Sequence, residues 1–321
     1  MLSLSIILAA AALGSGALQP TPGEIEARGP LGPLRGTMLA GAKGSAPVLI
    51  IPGSGPTDRD GNSPLGIRAA SYRLLAEGLA GRGIGSVRID KRGMFGSQAA
   101  VADGNAVTVA DYAADVRTWV EALRTRTGAP CVWLLGHSEG GLVATAAAAE
   151  SSEGICGLIL VAAPGRKLGD VLREQLHANP ANAPLLDQAF SAIDQLEAGK
   201  RVDTTALHPA LMPLFAPPVQ GFLISLMAQD PAALLARFEG PTLVVQGGRD
   251  LQVTKADAER LAAARPGVKL VMLDDVNHAL KVVTTDDRAG NFATYADPKL
   301  PIAAEVVQEI ASFIAAHRQS R

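Results

Sequence analysis

Two hydrophobic periods alternate along this chain. Short apolar runs such as Val48-Leu49-Ile50-Ile51, Ile84–Ile89, Val132–Leu135, Ile155–Val161, Leu243–Val245 and Val268–Leu273 are rich in β-branched residues. Glycine or proline bounds most of them, which predicts buried strands. Between them lie stretches with helical spacing: Ala69–Gly81, Leu142–Glu150 and, near the C-terminus, Ile302–Ala315. The best marked helix opens at Thr108 with Asp111 three residues on, and Val109, Tyr112, Val116, Trp119, Val120 and Leu123 form its apolar face. Strands alternating with helices imply a mostly parallel sheet with helices on both faces. Ahead of this pattern, Glu24–Ala42 carries two short runs around Gly29-Pro30-Leu31-Gly32 and predicts an antiparallel hairpin.

The alternation breaks once. From about Gly165 to Arg237 the pattern is helical and punctuated by prolines, and strands resume at Pro241. The expected organisation is a core from 18–164 and 240–321 with a helical insertion at 165–239. Residues 1–17 read as an export signal: Leu4–Leu13 is an apolar or small run, followed by Gly14-Ser15-Gly16-Ala17. No Lys or Arg precedes that run. It is too short for a membrane span, which needs roughly 20 apolar residues.

Against this frame one stretch carries chemistry. Gly136-His137-Ser138-Glu139-Gly140 is a G-x-S-x-G pattern placed after a strand and before a helix. A serine on such a sharp turn has its hydroxyl in the open, which suits a nucleophile. Its proton needs a base, and the base needs an orienting acid. Only five histidines are available. His137 adjoins the serine and is set aside. His177 and His208 lie in the helical insertion and His317 in the polar C-terminal tail. His278 follows the Val268–Leu273 strand and is the expected base. Asp250 follows the Leu243–Val245 strand and a glycine turn, in the order Ser, Asp, His. An oxyanion hole requires two backbone N–H groups. One is expected from Glu139, the other from Ser54 in the loop Pro52-Gly53-Ser54-Gly55-Pro56, with Gly53 as the next candidate.

Together these segments resemble the α/β-hydrolase superfamily. Gly53-Ser-Gly-Pro-Thr-Asp-Arg-Asp60, Asp90-Lys-Arg-Gly93 and Asn277-His-Ala-Leu-Lys281 are similar to its serine-aminopeptidase-like branch, which includes bacterial carboxylesterases. The likeness runs from about Glu24 to Ile314, although Pro52-Gly53 stands where many members carry His-Gly. It implies an α/β-hydrolase fold, with the insertion acting as a lid over Ser138. It also implies that the Cys131 and Cys156 strands are neighbours. Two buried free thiols are the expectation there, with a disulfide the alternative in an oxidising compartment.

Composition narrows the rest. The chain has 321 residues, 48% hydrophobic, with a net charge of −2 and no basic cluster, which argues against nucleic acid. The cysteine spacing does not suit zinc, and no cofactor is expected. Arg59 and Arg92 fit scaffolding better than substrate binding, whereas Glu139 fits either repulsion of anionic substrates or plain solvation. The expected function is a secreted or periplasmic carboxylesterase acting on small esters, without membrane insertion. An aminopeptidase or amidase is the main alternative, and would need lid carboxylates such as Asp170, Glu174, Asp187, Asp194 or Glu197. A thioesterase and a non-catalytic ligand-binding relative are the remaining readings.

Overall fold

The computed structural model describes residues 21–317. Residues 1–17, which the sequence reads as an export signal, lie outside the described residues. Eight strands, β1 (Gly23–Ala27), β2 (Leu34–Leu39), β3 (Val48–Ile51), β4 (Ser86–Ile89), β5 (Val132–His137), β6 (Ile155–Val161), β7 (Thr242–Gly247) and β8 (Val268–Leu273), form one sheet. Their order is β1-β2-β4-β3-β5-β6-β7-β8. The β1–β2 and β2–β4 pairs are antiparallel and every later pair is parallel. The hairpin thus caps one edge of a mostly parallel sheet, the arrangement the alternating pattern implies.

The helices are α1 (Ser71–Ala80), α2 (Val109–Thr127), α3 (Glu139–Glu150), α4 (Leu168–Ala178), α5 (Leu186–Glu197), α6 (Met212–Phe215), α7 (Gln220–Met227), α8 (Pro231–Leu235), α9 (Lys255–Ala262), α10 (Arg288–Ala293) and α11 (Ala304–Ala316). The sheet separates two apolar layers because successive strand residues face opposite sides. Leu49, Ile51, Leu134 and Val244 meet α2, α3 and α9 on one face. Val48, Ile50, Leu135 and Val245 meet α1 and α11 on the other. The Thr108 capping box on α2 is present, with Asp111 reciprocating, and Gly128 closes the helix in the left-handed region.

Between β6 and β7 no strand forms. Helices α4 to α7 instead gather a third apolar cluster around Ile193, Leu196, Phe215 and Met227. A smaller seam of Val109, Leu142 and Leu226 joins this insertion to α2 and α3. The segment Pro209–Met227 is long and apolar enough to cross a membrane by composition, and only 28% of its most apolar window is buried. Prolines break it into short helices, with α6 and α7 on either side of Pro217 and Pro218.

The cysteines correct an expectation. Cys131 and Cys156 are not free thiols but a disulfide. They sit at the starts of the neighbouring parallel strands β5 and β6, where the register shifts between Val132 and Trp133. This brings their Cα atoms to 5.1 Å, within bridging range. Hydrophobic periodicity does not encode such an offset between strands. The bridge closes a loop with a sequence separation of 25, so replacing both cysteines by serine is expected to lower stability by roughly 3 kcal/mol. Denaturant midpoints of the oxidised protein and the double variant measure this, and coincident midpoints would refute it.

Candidate active site

The strand order reverses direction about β3: the chain passes from β3 to β4 on one side, then crosses to β5 on the other. Loops leaving the ends of β3 and β5 diverge there, which opens a crevice at a topological switch point. Ser138 stands in it, between the last residue of β5 and the first of α3. Its backbone has φ 54° and ψ −127°, a conformation that non-glycine residues rarely adopt. The flanking glycines are needed for packing. A Cβ on Gly136 would lie 2.2 Å from the Gly140 carbonyl, and one on Gly140 would lie 2.3 Å from the Ile51 carbonyl. The turn therefore folds tightly on itself and against the end of β3.

Asp250 and His278 meet through a 2.8 Å hydrogen bond between Oδ2 and Nδ1. The Asp250 side chain is fully buried. Its other oxygen accepts from the N–H groups of Gln252 and Val253 at 2.8 and 2.9 Å. Burial pushes this carboxyl up, but the charge and hydrogen bond of His278 and the two backbone donors outweigh it. The net effect holds Asp250 below the ordinary carboxylate range. With Nδ1–H donated to a carboxylate, Nε2 of His278 is left as an acceptor. No hydrogen bond joins His278 to Ser138 Oγ. Such bonds commonly tighten only with substrate bound.

The two expected oxyanion donors flank the serine. Neither the Ser54 nor the Glu139 N–H has an acceptor among the described residues. Gly53 does not compete: its N–H donates to the Tyr72 hydroxyl at 3.0 Å. Its α-carbon packs so closely that an added Cβ would sit 3.1 Å from Ser138 Cβ. The Glu139 side chain is buried rather than solvated, and its Oε1 lies 3.2 Å from Lys91 Nζ. Lys91 also donates to the Gly53 carbonyl at 2.7 Å and sits over the Tyr112 ring. This ammonium ties the β3 loop to the serine turn and neutralises Glu139.

Three residues near the site were not singled out by the sequence: Lys91, Tyr72 and, set aside there, His137. His137 is buried, with Nδ1 2.9 Å from Tyr72 Oη and Nε2 2.9 Å from the His278 carbonyl oxygen. Burial, with the neighbouring His278 adding to it, lowers the His137 pKa to about 3. It stays neutral at working pH. The alternation of apolar positions marks where His137 lies but not what lies opposite it.

Arg59 and Arg92 belong to the frame. Arg59 binds Asp90 through its backbone N–H and Nε, both at 2.9 Å, and reaches Glu24 at 2.8 Å. Arg92 forms a two-pronged pair with Asp115 at 2.6 and 2.8 Å and also holds Asp111. Asp58 closes its own loop on the N–H groups of Asp60 and Asn62, and Asp60 pairs with Arg88.

Ser54, Ser138 and Glu139 line a cavity of about 1380 Å³ beneath the inserted helices. Its walls are mainly apolar, with Leu142, Leu168, Leu172, Leu214, Phe222 and Leu226 prominent. Glu139 is the only carboxylate among the lining residues. Of the insertion's acids, Glu174 pairs with Arg166, whereas Asp194 and Glu197 pair with Arg173. Among the described residues no cluster of His, Cys, Asp or Glu could hold a metal ion.

Comparison with known proteins gives the same architecture. The chain is 31% identical over 245 residues to esterase EstD of Thermotoga maritima, covering 74% of this chain and 56% of that one. It therefore spans little more than half the length of that relative. Among solved structures, a thermophilic esterase from Thermogutta terrifontis superposes with a TM-score of 0.56 at 20% identity, covering 92% of this chain and all of the other. The alpha/beta hydrolase GrgF from Penicillium sp. sh18 superposes with a TM-score of 0.60 at 17% identity, covering 92% and 99%. The family model for the alpha/beta hydrolase family matches residues 48–294. That span holds the serine turn, Asp250 and His278, and the chain belongs to the alpha/beta hydrolase family.

Proposed function

We propose that this protein is a serine carboxylesterase acting on small, apolar esters. The observation that carries it is strained Ser138 with two unpaired N–H groups at one apolar cavity, together with an Asp250–His278 pair whose His278 carbonyl lies 2.9 Å from Nε2 of His137, the residue before the serine. Ser138 Oγ attacks the acyl carbon while His278 Nε2 takes its proton. The oxyanion that forms is bound by the N–H groups of Ser54 and Glu139. Collapse expels the alcohol, which takes the proton back from His278 and leaves an acyl-Ser138 ester. Water, deprotonated by His278, then attacks the acyl carbon; the bond from that carbon to Ser138 Oγ breaks as Oγ takes the proton back from His278, which restores the serine hydroxyl and releases the carboxylic acid. The family likeness to a protein named an esterase supports this chemistry. The inserted helices act as the lid that shapes the acyl and alcohol sites.

Ester rather than peptide substrates follow from charge. An aminopeptidase must neutralise a substrate ammonium, and the cavity offers only Glu139, already paired with Lys91. The Cys131–Cys156 disulfide supports an exported, oxidising location.

A p-nitrophenyl ester series from acetate to palmitate, run beside aminoacyl p-nitroanilides with Ser138→Ala as blank, tests the assignment. Serine-dependent ester cleavage with inert anilides is the expected result. Turnover of the anilides would replace esterase by aminopeptidase.

A further inference from the structure

The residue before the nucleophile carries a hydrogen-bond chain with only one consistent direction. The His278 carbonyl can only accept, so His137 donates through Nε2–H at 2.9 Å. A neutral imidazole then has an unprotonated Nδ1, which accepts from the Tyr72 hydroxyl at 2.9 Å. The Tyr72 oxygen in turn accepts from the Gly53 N–H at 3.0 Å. All three distances lie within the range for good hydrogen bonds. Tyr72 and His137 are both buried, at 3% and 7% exposure, so water does not substitute for a lost partner. The neighbouring residue on α1 adds a second hold, since Ser71 Oγ donates to the Ala279 carbonyl at 2.7 Å.

We propose that Tyr72 is a positioning residue for catalysis, acting through His137 on the base and through Gly53 on the oxyanion loop. This rests on the serine esterase reading above and deepens it. One phenol touches both sides of the crevice. By occupying the Gly53 N–H it leaves Ser54 as the free donor at the end of β3. By orienting His137 it fixes the backbone of His278, whose ring lies 4.7 Å from that of His137, centroid to centroid. The first turn of α1 therefore clamps three peptides of the reaction centre: the oxyanion loop, the serine turn and the base loop. Neither His137 nor Tyr72 exchanges a proton with substrate.

Displacement of the base or the oxyanion donor acts on the transition state more than on ground-state binding. Tyr72→Phe keeps the ring and removes both hydrogen bonds. Its kcat, normalised to Ser138 titrated with a fluorophosphonate, is expected to fall about tenfold with KM within about twofold of the parent. The inhibition constant of an alkyl boronic acid, which mimics the tetrahedral state, is expected to rise in parallel. His137→Gln, which keeps a donor able to reach the His278 carbonyl, is expected to retain more kcat than His137→Ala. A titration-corrected kcat for Tyr72→Phe within twofold of the parent would overturn the proposal, as would equal activity of the two His137 variants. Failure of the esterase reading has a different signature, with the parent cleaving no ester. The rate of fluorophosphonate labelling of Ser138 then decides, and equal rates in parent and Tyr72→Phe overturn the positioning role. A parent that is not labelled at all overturns both.

Discussion

Ser138→Ala is expected to lower kcat by a factor on the order of 10⁶ and leave thermal stability nearly unchanged. Oγ is the only atom lost, and it makes no hydrogen bond among the described residues. The strain remains, because alanine at φ 54°, ψ −127° is no more at ease than serine. Ser138→Gly separates strain from chemistry. Glycine adopts this conformation freely, and relief of about 1–3 kcal/mol of backbone strain exceeds the roughly 0.5–1 kcal/mol that glycine costs in unfolded-chain entropy. The glycine variant should be equally inactive and more stable than the alanine variant by about 1 kcal/mol. Calorimetric midpoints about 2 °C apart or more would register this. A less stable glycine variant would mean that the turn is unstrained.

Asp250→Asn is the second large effect, with kcat expected to fall by about 10⁴ and KM to stay near the parent value. The carboxylate now accepts Nδ1–H at 2.8 Å, which in the proposed reaction leaves Nε2 of His278 free to take the serine proton. A carboxamide can present its NH₂ to Nδ1 instead, moving the imidazole proton to Nε2 and removing the base. The backbone donors of Gln252 and Val253 still find the amide oxygen, so the loop holds its shape. The separation between kcat and stability is the diagnostic. Steady-state kinetics near pH 7 measure it, and a loss smaller than tenfold would show that Asp250 does not orient the base.

Much of this geometry was legible in the chain for local reasons. Ser138, Asp250 and His278 each follow an apolar strand, and the ends of parallel strands share one edge of the sheet. Placing strands therefore placed three loops together. What was not legible depends on partners distant in sequence. Gly53 and Ser54 look alike in a glycine-rich loop, and only the phenol of Tyr72, on the following helix, separates them. Glu139 was undecidable because its partner, Lys91, follows a strand on the other side of β3. His137 was set aside as a base, and its buried hydrogen bonds could not be read from a position next to the serine. The cysteine expectation failed for a related reason: strand adjacency is implied by the fold, but residue-level register is not.

The insertion's private apolar cluster has an evolutionary consequence. Ile193, Leu196, Phe215 and Met227 pack among themselves, whereas contact with α2 and α3 runs through other residues: Leu226 against Val109 and Leu142, Phe222 against Tyr112, Ser225 on the Val109 N–H, and Leu235 and Phe238 in the main core. Residues on the cavity side of that cluster, such as Leu172, Leu214 and Leu223, can change size without disturbing the sheet that positions Ser138, Asp250 and His278. Distant substitutions with no shared partners combine nearly additively. On the proposed esterase reading, substrate range is thus free to drift while the reaction machinery stays fixed, and insertions exchanged between members of this architecture would carry their preferences with them.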